Sequence, residues 1–195
     1  MTSPTTRSKF PKASKKRKKK SPKKTSSPER ARRPLPVFVA LGSNLGDSRA
    51  ILAGALQSLA RLIGPLRVAP FYRSEPVSDI AQPAYWNTVA AGRTALPAEA
   101  LLAALQRIER RFGRDRTPGG PAGAPRTLDL DLLLLGRVVR RRRAPLLPHP
   151  RLRQRRFVLQ PLADLSPDLA LPPDGSTPAE LLRRLPPRPW VRREP

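Results

Sequence analysis

The sequence predicts an α+β domain, a mainly antiparallel sheet with helices packed against it, joined to a basic tail. Three observations carry this expectation. From residue 34 onward, short β-rich runs and helical periodicities alternate in the order strand, helix, strand, strand, helix, strand. Two long loops rich in proline or glycine interrupt that order, at residues 74–85 and 114–125. The first 33 residues differ in kind from the rest: fourteen are Lys or Arg and only Glu29 is acidic, which accounts for +13 of the net charge of +25.

Each element follows from its local pattern. The run PVFVAL at 36–41 is short, apolar and β-branched, and it enters a glycine-bounded turn at 42–47, so it reads as a buried strand. Ile51, Leu52, Ala55, Leu56, Leu59, Leu62 and Ile63 recur at helical spacing until Gly64-Pro65 stops them. Strands are expected over residues 66–73 and 86–93, separated by a loop that holds Pro76 and Pro83. Pro97 suits a first helical position, and Leu101, Leu105, Ile108 and Phe112 form one face of a helix closed by Gly113. A strand through Asp129 and Asp131 comes next, then a short hairpin return around Val138 and Val139. This order is that of a ferredoxin-like sandwich, which by itself names no function.

Residues 1–33 form the expected tail and residues 34–195 the domain. The tail, with its unbroken basic run at 15–20, has too little apolar surface to offset the entropy of ordering and is expected to be disordered. It could attract nucleic acid or an anionic surface by charge alone, or serve only as a solubilising extension. No apolar run suits a signal peptide or a membrane span, so a soluble, cytoplasmic protein with no membrane partner is expected. With no cysteine there are no disulfides or thiolate metal sites, and with His149 as the one histidine there is no multi-histidine site. All lysines lie at or before Lys24, which removes a P-loop lysine from the domain. Nucleotide handling here would fall to arginine and metal.

The chemistry concentrates in Arg126-Thr127-Leu128-Asp129-Leu130-Asp131. Strand side chains alternate, so Asp129 and Asp131 share a face, with Cα atoms roughly 6.5 Å apart. Leu128, Leu130 and Leu132 face the other way, into a core. Two such carboxylates suit one or two Mg²⁺, which prefer hard oxygen ligands and keep water and phosphate oxygens in their shell. Alone, the same alternation is equally that of an ordinary half-buried antiparallel strand.

Further motifs stand in order around that strand: ALGSNLGD at 40–47, FYRSEPV at 71–77, Gln82-Pro83 followed by Tyr85 and Asn87, QRIERRFGRDR at 106–116, APRTLDLDLLLLG at 124–136 and PHPRLRQRRFVLQPL at 148–162. Together they resemble the 6-hydroxymethyl-7,8-dihydropterin pyrophosphokinases of folate biosynthesis, over about residues 35–185. That resemblance implies a monomeric enzyme that uses ATP and two Mg²⁺ to pyrophosphorylate a pterin alcohol, leaving AMP. It assigns Asp129 and Asp131 to the metals and Arg126 to the transferring phosphates. Arg114 and Arg116 resemble mobile-loop arginines that close over the triphosphate, where forked guanidinium groups match phosphate. His149 matches a histidine on the ATP phosphates, and Gln106 and Glu109 resemble residues near the nucleotide. On the pterin side, Tyr85 and Phe157 match a stacking pair, Asn87 supplies an amide edge, Arg155 matches a substrate-side arginine, and Ser74, Pro76 and Val77 belong to the pocket loop.

The chain also departs from the family pattern. Residues 119–124 read GGPAGA where an arginine and an aromatic or polar residue are usual, so the loss of one loop contact to ATP and a weaker closure are expected. Glu75 stands where proline is frequent, and the cluster Arg140 to Arg143 is unusual. Two rival readings stay open at this level: a nucleic-acid-binding ferredoxin-like module with a basic tail, and a catalytically weakened homologue.

Overall fold

The computed structural model describes residues 33–114 and 123–195. The expected tail lies outside the described residues apart from Arg33, as does Arg116. Strand β1 (Leu35–Ser43) arises from the predicted apolar run. Helix α1 (Ser48–Ile63) begins where the Asp47 carboxylate accepts from the Ala50 N–H at 3.1 Å, an N-cap the hydrophobic periodicity does not reveal. The expected strand at 66–73 is two pieces, β2 (Arg67–Val68) and β3 (Tyr72–Ser74). Ala69, Pro70 and Phe71 stand opposite only Thr88 and Val89, because Pro70 has no N–H for a ladder bond and the chain bulges there. Strand β4 (Tyr85–Thr94) pairs with both pieces and with β1. Helix α2 (Ala98–Arg111) has Pro97 as its cap, one place earlier than expected, and Gly113 follows it with φ 75°.

Strand β5 (Asp129–Leu135) runs antiparallel to β1. No hairpin strand follows it; Val138 and Val139 lie in irregular chain after a turn at Gly136 and Arg137, and the return is a single bridge between Arg140 and Leu147. Two helices and a strand then complete the chain: α3 (Arg156–Leu165), α4 (Pro178–Arg184) and β6 (Val191–Arg193). Helix α4 starts on a reciprocal capping box between Thr177 and Glu180. The sheet order is β5-β1-β4-β3-β6, with β2 beside β4. Its first four strands follow the split β-α-β arrangement that the element order implies.

Both faces of the sheet are covered. Val37, Val39, Leu41, Leu130 and Leu132 pack under α1 and α2, together with Leu52, Leu59, Leu101 and Leu105. Leu128 joins them, so the expected inward set holds. Phe38, Val89 and Leu133 pack against Val158, Leu159 and Leu162 of α3 and Leu181 of α4. Burying each such leucine contributes roughly 1.5–3 kcal/mol, well above the tenths of a kcal/mol that helix propensity offers per residue, so packing holds these helices. The register between β1 and β5 shifts at Leu133, a bulge that turns the consecutive Leu133 and Leu134 to one core while Leu132 and Leu135 serve the other.

Two polar contacts join segments distant in sequence. The buried Asn44 side chain donates to Gln82 Oε1 at 2.8 Å and to the Pro83 carbonyl at 3.1 Å, and its Oδ1 accepts from the Arg126 N–H at 2.8 Å. It clasps the loop before β4 to the approach to β5. The Tyr72 hydroxyl donates to Asp164, tying β3 to α3.

Asn44→Ala removes the acceptor for a part-buried N–H and is expected to cost about 1–3 kcal/mol, read by denaturant unfolding; an unchanged midpoint would contradict the clasp. Burial and the Asp164 hydrogen bond push the Tyr72 phenol up to about 12. Because that lies above the unfolded value of about 10, the contact's stability is complete below pH 10 and is lost as pH rises through 12. A near-ultraviolet phenolate titration should therefore show a late step that Tyr72→Phe abolishes; a step centred on the ordinary value would refute the contact.

Candidate active site

The start of β5 supplies the acidic centre. Asp129 and Asp131 face a cleft of about 830 Å³ bounded by the end of β1, the start of β4, the loop after β3 and the start of α3. Between them Leu130 turns its N–H outward from this edge strand, and the buried Glu109 of α2 accepts it at 3.0 Å. Glu109 thus holds the strand from behind, on the side away from the cleft.

Four basic groups from different segments converge on the two carboxylates. Arg126 donates to Asp129 at 3.0 Å, and Arg114 stands 3.5 Å from its other oxygen. Arg155 donates to Asp131 at 2.7 Å, with His149 Nε2 3.7 Å from the second oxygen. Three guanidinium groups against two carboxylates leave a positive excess suited to anionic oxygens. Burial pushes the His149 pKa below its ordinary value, against the opposing pull of Asp131. Its Nδ1 accepts from the Arg151 N–H at 3.2 Å, which places the proton of the neutral ring on Nε2, toward Asp131.

Each carboxylate is also linked through its arginine to an aromatic ring. The Arg126 guanidinium lies 6.0 Å from the Tyr85 ring centre and that of Arg155 lies 5.4 Å from the Phe157 ring centre. Asn87 donates to Ser74 Oγ at 2.9 Å, while its Oδ1 accepts no hydrogen bond among the described residues and stands over Gly42. A Cβ at Gly42 would lie 3.4 Å from that oxygen, so the glycine leaves the floor of the cleft low.

The structure brings Ser74, Val77, Tyr85, Asn87, Arg114, Arg126, Asp129, Asp131, Arg155 and Phe157 to one cleft. Pro76, Gln106 and Glu109 do not line it, and His149 reaches it only through Asp131. Helical spacing put Gln106 and Glu109 on one face, but Glu109 turns into the β5 edge, where a buried N–H needs an acceptor. Sequence reasoning overlooked Asn44, Gln82, Arg151 and Gln154. Gln82, Arg151 and Gln154 line the cleft, and Asn44 braces it. Asn44 and Gln82 stood within quoted motifs, yet nothing local shows that they bond each other across the fold.

The family model for 7,8-dihydro-6-hydroxymethylpterin-pyrophosphokinase matches residues 38–167. The chain is 45% identical over 152 residues to the 2-amino-4-hydroxy-6-hydroxymethyldihydropteridine pyrophosphokinase of Pseudomonas aeruginosa, covering 77% of this chain and 91% of that protein. It is 37% identical over 144 residues to the enzyme of the same name from Porphyromonas gingivalis, covering 73% and 97%. A crystal structure of Plasmodium falciparum HPPK-DHPS with pterin and p-hydroxybenzoate shares the fold, with a TM-score of 0.64 at 11% identity over 80% of this chain and 44% of that one. The paired carboxylates, converging arginines and two aromatic rings that edge the cleft thus lie within the residues that match, and the chain belongs to the 7,8-dihydro-6-hydroxymethylpterin-pyrophosphokinase family.

Proposed function

We propose that this chain transfers pyrophosphate from ATP to 6-hydroxymethyl-7,8-dihydropterin and releases AMP, a step of folate biosynthesis. One observation carries the reading: the Asp129–Asp131 pair with its arginines adjoins Tyr85, Asn87 and Phe157 in a single cleft. A charged wall for a triphosphate and an aromatic wall for a flat heterocycle are what this transfer requires. The family match over the folded residues favours this reading over a nucleic-acid-binding module.

Tyr85 and Phe157 flank the pterin ring, and the open Oδ1 of Asn87 accepts from one of its N–H groups. Arg114, Arg126 and Arg155 hold the phosphates by forked hydrogen bonds, so that the hydroxymethyl oxygen faces the β-phosphorus. Attack forms the new oxygen–phosphorus bond as the bond between the β-phosphorus and the bridging oxygen breaks, AMP leaves with that oxygen, and the hydroxyl proton passes to water. Neutral His149 offers its Nε2 proton to an anionic oxygen beside Asp131.

Asp129 and Asp131 would hold the magnesium ions, two by this reading. The donor set fits: both carboxylates are hard oxygen ligands open to the cleft, and the described residues hold no cluster of three or more His, Cys, Asp or Glu, which leaves the remaining positions to phosphate oxygens and water, as Mg²⁺ prefers. When bound, the ions supply charge neutralisation and alignment of the phosphates. A monomer acting in the cytoplasm fits this chemistry, and no helix among the described residues is long and apolar enough to cross a membrane. The +13 of residues 1–33 suits non-specific attraction to nucleic acid, apart from catalysis.

Incubation with MgATP and the pterin alcohol should yield AMP; ADP in its place would exclude pyrophosphoryl transfer. Asp131→Ala should lower kcat/KM about 100- to 1000-fold, the loss of several kcal/mol of transition-state stabilisation, with an unchanged circular dichroism spectrum. Near-normal turnover in that variant would overturn the assignment of Asp131.

A further inference from the structure

The loop that begins the pterin wall loses its sheet partner on one side. Ser74 pairs with Tyr85, the first residue of β4, so from Glu75 onward β4 offers no further hydrogen bonds. The partner on the other side continues. The three residues of β6 pair with β3, and one step beyond them the Glu75 N–H donates to the Trp190 carbonyl at 3.1 Å. The Trp190 N–H returns to the Glu75 carboxylate at 3.3 Å, and Arg188 donates to the other carboxylate oxygen at 3.2 Å. Glu75 therefore meets the C-terminal segment through both its backbone and its side chain.

That segment, residues 186–194, is tied to the opposite wall as well. Arg156 donates to the carbonyls of Leu182, Leu185 and Pro186, which fixes the point where the segment leaves α4. Arg156 stands between Arg155 and Phe157 at the start of α3. The far end is held by the Glu194 N–H, which donates to the Phe71 carbonyl at 2.9 Å. Between these anchors Pro189 lines the cleft, a contribution from beyond the residues that match the family model.

We propose that residues 186–194 act as a strap that sets the pterin wall, with Glu75 as the positioning residue through which it acts. The strap spans from the start of α3 to the loop after β3, and so fixes the separation of Phe157 from that loop. Glu75 supplies the N–H and the acceptor that couple loop to strap; a proline there would supply neither. Arg188 is largely exposed, so its ion pair is screened and the Trp190 contacts carry the coupling.

The inference rests on the proposed pterin site, and its test separates the two. Loss of the carboxylate in Glu75→Ala should raise KM for the pterin alcohol about tenfold, the scale of one hydrogen bond, with KM for ATP unchanged and kcat within about threefold. Glu75→Gln keeps an oxygen that accepts from the Trp190 N–H and should restore pterin KM to within about threefold. In the full chain Trp190→Pro removes the N–H that reaches the Glu75 carboxylate and should raise pterin KM in the same selective way. AMP formation by the wild-type chain with an unchanged pterin KM in Glu75→Ala would overturn the strap alone. Equal rises in KM for ATP and pterin would overturn it too, as the mark of general loosening. A wild-type chain that neither binds the pterin nor forms AMP would overturn the function with it.

Discussion

Two carboxylates on one face of one strand repel each other, and the site depends on bringing enough positive charge to them from elsewhere in the fold. Asp129 and Asp131 receive it from Arg114 after α2, Arg126 before β5 and Arg155 before α3. Arg126 lies three residues from Asp129, whereas Arg114 and Arg155 come from the ends of two helices and meet the pair because β5 lies at the sheet edge, with α2 on one face and α3 on the other. The compensation is partly exposed to solvent, which suits Arg126 and Arg155 to exchanging a carboxylate for a phosphate oxygen. A pair buried and locked in place would hold its charge without offering it to a substrate.

The bulge at Leu133 and the edge contact of Glu109 serve the same end. The bulge keeps both Leu133 and Leu134 on the face that Asp129 and Asp131 begin, so that face turns from acidic to apolar where it packs against α3. Glu109 satisfies the Leu130 N–H, an edge donor that would otherwise be buried without a partner. Asn44 does for the loops what Glu109 does for the strand, holding the approach to β5 against the segment that leads into β4. The charged and aromatic halves of the cleft are then coupled, because Arg126 and Arg155 each touch a carboxylate and stand near a ring.

The element order and the inward set of leucines were legible because period-2 and period-3.6 patterns report which face is buried. Pro70 was visible, but its consequence, a strand split into β2 and β3, depends on where β4 can still pair. The elements after residue 150 are short and α3 carries Pro161, which locally reads as a break, although the Thr177 to Glu180 spacing announces a helix start. In the site, residues named through motifs came together well where they bordered the cleft. Gln106 and Glu109 did not reach it, since a shared helix face does not say whether that face meets a cavity or the edge of a sheet.

Strand alternation and composition alone place Asp129 and Asp131 on one face, set leucines opposite them and leave no lysine or thiolate in the domain to join the chemistry. These are consequences of chain geometry and composition, which need no partner. The tertiary structure fixes that Arg155 meets Asp131 and that residues 186–194 return to brace the loop after β3. Such facts depend on distances between segments separated by tens of residues, and those distances exist only once both faces of the sheet are packed.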